Sequence, residues 1–205
     1  AKDRADAEES VKVGDYGIFA TKFAALGPTV KGKALDDRAG CAILVEVLKG
    51  GPYPCDLYGV FTVQEEVGLR GARVAAYAVE PDMAFVLEGT VCDDSPKKKD
   101  VSPTTRLGAG TAISIADKSA MADRRLVDLL VQTAKSQGLP YQFKQPLIGG
   151  TDAGRIHLSK EGVPSVALAV PCRYIHSPVS VMSLADFENT AKLMKATLER
   201  VHEIK

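Results

Sequence analysis

An α/β fold is predicted, with a mixed, largely parallel sheet covered by helices on both faces. Two observations carry this prediction. Short apolar runs of strand length alternate with longer runs of helical period through most of the 205 residues. Acidic and histidine residues also recur where the apolar runs stop, and in this architecture the carboxyl ends of the strands form the edge where ligands bind.

Residues 11–33 hold short β-like runs punctuated by Gly14, Gly17, Gly27-Pro28 and Gly32. From Leu35 onward, Ala39, Ala42, Ile43, Val45, Val47 and Leu48 predict a largely buried helix that stops at Gly50-Gly51. A strand is expected over 56–63, a helix near 72–79 and a strand over 83–87. The segment 91–110 reads as a polar connection, and its lysines 97–99 read as a solvated loop. Beyond it the pattern gives a strand at 111–115, a helix capped by Asp123, a brief strand at 141–143 and a tight loop at 149–154. The last strand is expected at 165–170. A capping-box pattern at Ser183-Leu-Ala-Asp186 opens a final helix running to about His202.

Composition narrows the function. With 26 basic and 26 acidic residues the formal net charge is zero, which argues against nucleic acid or a membrane surface as partner. No apolar stretch reaches the length of a membrane span, and the charged opening does not read as a signal peptide. Cys41, Cys55, Cys92 and Cys172 lack C-x-x-C spacing, so free thiols in a reducing, cytoplasmic setting are expected.

The candidate site residues are Asp36, Glu65, Glu66, Glu88 and His176. Asp36-Asp37, taken alone, reads better as a helix cap. Adjacent Glu65-Glu66 is harder to explain that way, because the two charges repel. In extended backbone the pair would point to opposite sides, one toward a cation and one toward a substrate. Glu88 ends an apolar run and would be costly to desolvate unless paired or metal-bound. His176 follows the last strand. His157 and His202 fall in helical stretches and read as structural, and Cys172 reads as a small apolar residue. Two divalent cations would balance Asp36, Glu66, Glu88 and a bridging hydroxide in charge, and such a pair polarises a carbonyl and acidifies the shared water. Glu65 would then accept the water's proton.

Five motifs carry a resemblance: Ala34-Leu-Asp-Asp-Arg-Ala-Gly40, Thr62-Val-Gln-Glu-Glu-Val-Gly-Leu-Arg-Gly-Ala72, Leu87-Glu-Gly-Thr90, Gly149-Gly-Thr-Asp-Ala-Gly154 and Arg173-Tyr-Ile-His-Ser-Pro178. Together, and in this order, the chain resembles the tetrahedral dinuclear-metal aminopeptidases, of glutamyl or deblocking type, some of which carry a cellulase label. The resemblance implies a zinc exopeptidase-like fold and a cytoplasmic homo-oligomer acting on peptides. It implies two divalent metals, zinc or cobalt, with Asp36 bridging them through a cis peptide to Asp37. Glu66 and His176 complete one metal site, Glu88 binds the other metal, Glu65 is the general base and Asp152 supports the site. It further implies that residues 1–33 are the tail of an inserted β-rich oligomerisation domain, and 34–205 the carboxyl-terminal part of the catalytic domain. The family's second site also takes a histidine from an upstream His-x-Asp segment. That segment is not in this sequence, so a fragment, a chain completed by another, or a remnant is expected. A related dinuclear deacylase or carboxypeptidase and a non-catalytic assembly subunit are the alternatives, and the retained glutamate pair speaks against the subunit.

Overall fold

The computed structural model describes residues 1–96 and 102–204, so lysines 97–99 lie outside the described residues. A short helix, α1 (Arg4–Glu8), precedes an exposed stretch. The hairpin of β1 (Ala24–Leu26) and β2 (Thr29–Gly32) leads into α2 (Leu35–Lys49). Then come α3 (Arg70–Val79), β3 (Ala84–Val91), β4 (Thr111–Ser114), α4 (Arg124–Ser136) and β5 (Tyr141–Phe143). The chain finishes with α5 (Ala153–Ile156), β6 (Ser165–Arg173), β7 (Ser180–Ser183), α6 (Leu184–Leu198) and a 3-10 turn at Val201–Glu203.

The strand β6 organises the sheet. Along one edge it pairs in parallel with β3, from Ala84↔Ser165 to Val91↔Cys172. Its other edge takes β4 antiparallel, and then β7 antiparallel near its carboxyl end. Beyond β4 lies β5, in parallel, and beyond β7 lies β2, antiparallel. The sheet is therefore mixed, with a smaller parallel share than the alternation of strands and helices suggests. Strands joined by short turns, β1–β2 and β6–β7, return antiparallel because a parallel return needs a crossover. Residues 24–32, grouped by sequence with 1–33, are thus hydrogen-bonded into this sheet.

Successive residues of β6 serve opposite faces. Val166, Leu168 and Val170 pack into the main core with Ile43, Leu130 and Leu193 of α2, α4 and α6. Ala167 faces the other way and joins Val86, Ala153 and Ile156. Helices therefore cover both faces. Asp123 caps α4 by accepting the Arg125 N–H, and Ser183 caps α6 by accepting the Asp186 N–H. The second half of the expected capping box is absent from that pairing. The Asp186 carboxylate instead accepts the Gly108 and Gly110 N–H groups at 2.7 and 2.8 Å, pinning the connection before β4.

Three expectations need correction, the first being the last strand, since β7 (Ser180–Ser183) follows β6. The stretch 56–63 is not a strand: it has no ladder, and Tyr58, Val60, Phe61 and Val63 are exposed. Its β-branched and aromatic residues suit a pleated surface, but propensity of that kind does not supply a partner strand. Nor does Glu88 close its strand. The strand β3 continues to Val91, since Gly89-Thr90-Val91 keep pairing with β6.

Candidate metal centre

Asp36 stands at the entrance to α2, where the backbone is not yet helical and the Asp36–Asp37 peptide is cis. Asp37 turns inward. Its Oδ1 accepts the Gly40 N–H at 2.9 Å, closing the first turn of the regular helix. The neighbouring strand approaches closely, and a Cβ added at Gly89 would lie 3.1 Å from the Asp36 Cα. Glu65 and Glu66 sit in a turn before α3, in which the Glu65 carbonyl accepts the Gly68 and Leu69 N–H groups. Their divergence comes from this turn rather than from strand alternation. His176 lies in the turn between β6 and β7, braced by Ser177, whose hydroxyl donates to the Tyr174 carbonyl.

These three segments meet. His176 Nε2 lies 3.2 Å from Asp36 Oδ2 and 3.5 Å from Glu66 Oε2. Asp36, Glu66 and His176 each offer a ligand atom within 4.8 Å of the other two. Glu88 falls outside that trio. It projects on the face shared with Val86 and accepts the Asp152 N–H at 3.3 Å. Asp152 also accepts the Thr62 hydroxyl through Oδ2 at 2.6 Å, while its Oδ1 is buried with no hydrogen-bond partner among the described residues. Cys172 is wholly buried in β6, and burial pushes its thiol up, so it packs as an apolar residue. His157 bonds the Ala153 carbonyl from the end of α5.

Burial, with neighbouring acids, raises the proton affinity of Asp36, Asp37, Glu65 and Glu88. Burial, then the Glu66 charge, lifts Asp36, against the pull of His176 and Lys144. Burial and the Asp36 charge lift Asp37 to about 8 despite the Gly40 and Gly89 N–H groups. Burial and then Asp152 lift Glu65 to about 7, and burial and then Asp37 lift Glu88 well above the usual range. A region that holds so many acids against their charge is suited to a cation, and an imidazole with carboxylates is the donor set of zinc-like ions. Sequence reasoning gave Asp37, a carboxyl bonded to the α2 turn, no part beyond a cap and a cis peptide, and it left out Lys144, which is buried. A single lysine in Gln142-Phe-Lys-Gln145 carries no readable signal.

A pH dependence follows. Groups whose acidity is weakened on folding make the folded state bind more protons than the unfolded one, so stability falls as pH rises. For the metal-free chain the loss is expected from about pH 4 to about pH 8, the interval between ordinary carboxyls and Asp37. Urea titrations at stepped pH measure it, and added divalent ion is expected to reverse the slope.

Fold and rim define a mixed α/β protein with a cluster of groups that could hold a cation at one end of its sheet. The M42 glutamyl aminopeptidase model matches residues 1–193, and the chain belongs to that family. The lysyl aminopeptidase of Pyrococcus furiosus is 34% identical over 205 residues, covering 98% of this chain and 58% of that protein. Among solved structures, aminopeptidase APDkam598 from the archaeon Desulfurococcus kamchatkensis superposes with a TM-score of 0.93 at 37% identity, over 100% of this chain and 60% of that one. The Pyrococcus horikoshii TET1 peptidase, which can assemble into a tetrahedron or a large octahedral shell, gives 0.75 at 35% identity, over 94% and 57%. The chain spans a little under three-fifths of the length of the curated relatives it matches. No described helix is long and apolar enough to cross a membrane.

Proposed function

We propose that this chain carries the metal-binding face of a metallo-aminopeptidase that removes the first residue of peptides. The observation that supports this most directly is the convergence of Asp36, Glu66 and His176 from three separate segments. Those residues would hold one divalent ion, zinc or cobalt. Asp36 and Glu88 would help to hold a second ion. Bound there, the ions polarise the scissile carbonyl and make a water acidic. Glu65, raised to about 7, is suited to take the proton from the attacking water and return it to the departing amine. Asp152, bonded by Thr62 and donating its N–H to Glu88, fixes the orientation of the Glu88 carboxyl.

Residues 1–33 would belong with an inserted β-rich domain, joined to the catalytic part at 34–205 by the β1–β2 hairpin that pairs with β7. The shell-forming TET1 relative supports a homo-oligomer, and four free cysteines, two of them exposed, suit the cytoplasm. Elemental analysis of the purified protein, paired with free-amine, N-acylated and carboxyl-terminal reporter peptides, tests the reading. Bound metal is expected in the chain itself, and cleavage of free-amine peptides alone once an upstream segment carrying His-x-Asp is supplied. Cleavage of N-acylated peptides would indicate a deacylase, and absence of both metal and turnover an assembly subunit.

A further inference from the structure

Asp152 stands at the N-terminus of α5, where an aspartate ordinarily accepts an N–H of the first turn, yet its side chain makes no such bond. The carboxylate turns instead to the segment that carries the glutamate pair: Oδ2 accepts the hydroxyl of Thr62, just upstream of Glu65. Oδ1 remains, and among the described residues it is the one buried side-chain oxygen or nitrogen without a hydrogen-bond partner. The residue is 6% exposed, so bulk water does not serve it. Burial weakens the acidity of the carboxyl and the Thr62 hydroxyl partly restores it, with no basic side chain among the described residues joining them. An unbonded carboxylate oxygen in such a place is costly, and groups of this kind persist in native proteins where function needs them.

We infer that Asp152 Oδ1 accepts the α-ammonium of a peptide's first residue, which is thereby held as a cation by this side chain rather than as a neutral amine on a metal ion. The inference rests on the aminopeptidase reading and deepens it. Position supports it. The Asp152 N–H donates to Glu88 Oε1 at 3.3 Å, and of the charged groups around Glu65 it is Asp152 that acts on it most strongly. Asp152 therefore lies between the proposed base and a proposed metal ligand. In a peptide only the α-carbon separates the amine from the scissile carbonyl, so the group that holds the amine must flank the base. An ammonium brings N–H donors and a positive charge to an oxygen that lacks both, and charge-assisted bonds of this kind are strong. An N-acylated peptide has no such charge, and its acyl group would occupy the place of the ammonium hydrogens.

Calorimetric binding of three probes to the zinc-loaded chain tests this without requiring turnover: leucinamide, its 2-hydroxy analogue and its analogue lacking the amine. Leucinamide is expected to bind roughly 10–100-fold more tightly than either analogue, the usual worth of hydrogen bonds to charged groups. Asp152→Asn keeps the main-chain N–H to Glu88, so it should hold zinc as the unmodified chain does and bring leucinamide down to the level of the hydroxy analogue. A preference for leucinamide that survives in this variant puts the amine elsewhere, on the metal, and overturns the inference. Loss of zinc from the variant overturns it too, because the side chain would then serve the metal. Parity of leucinamide with the analogue lacking the amine, in the unmodified chain, overturns it whether or not the variant folds. Failure of all three probes to bind refutes the aminopeptidase reading and the inference with it.

Discussion

Replacing Glu65 by glutamine is expected to lower turnover by roughly 10²–10⁴-fold while leaving bound metal unchanged, the loss typical of a missing general base. Glu65 lies off the Asp36–Glu66–His176 trio, and its strongest charged neighbour is Asp152. The amide keeps the shape of the carboxyl but cannot accept a proton at working pH. Glu66→Gln is expected to do the opposite. Its carboxylate lies 3.5 Å from His176 Nε2, within the trio, so its removal weakens metal affinity first. Metal content and kcat measured together on both variants separate the roles. Metal loss in the Glu65 variant with retention in the Glu66 variant would exchange them.

Gly40→Ala is expected to damage the site through its scaffold. A Cβ at Gly40 would stand 2.2 Å from the Leu87 carbonyl oxygen and 2.5 and 2.6 Å from the two Asp37 carboxylate oxygens. The first is backbone of β3 and cannot swing aside. The helix α2 would have to move away from β3, breaking the Gly40 N–H bond to Asp37 and shifting Asp36 with it. Overpacking of this kind costs about 1–3 kcal/mol and sometimes more, and a contact with backbone on one side belongs at the upper end. Melting temperature and zinc affinity should both fall. A variant with normal stability and normal metal content would show that the helix can back away freely.

Signals confined to a few neighbouring residues are legible in the sequence, and those that depend on distant pairing are not. Apolar runs of strand length mark β3, β4 and β6, and the caps at Asp123 and Ser183 mark where α4 and α6 begin, because each is a local pattern. Asp36 and His176 are conspicuous because each follows a strand and lies at the rim. Glu65 and Glu66 stand out as a pair, yet their local geometry does not: the run before them looks like a strand but has no partner, and the turn that parts them depends on Gln64 and Leu69 with positive φ. Lys144 carries no sequence signal because its buried place near Gly149 comes from the register of β5 against β4 and β6, which one strand's residues do not reveal. The role of Asp186 is only half visible for the same reason, since the N–H groups it holds lie more than seventy residues away.

The central position of β6 also governs how quickly the molecule can form. Its partner along one edge lies some eighty positions earlier in the chain, as in Ala84↔Ser165, and its first partner on the other edge lies more than fifty earlier, as in Ala112↔Ala169. Only the return into β7 is short, as in Cys172↔Met182. Long loops must therefore close before the middle of the sheet gains any hydrogen bond, and topologies of that kind fold slowly for their size. The β6–β7 turn with His176 can take shape early from nearby residues. Asp36 and Glu66 come to that turn from segments more than a hundred residues earlier in the chain, so the cluster exists only where long-range packing is complete.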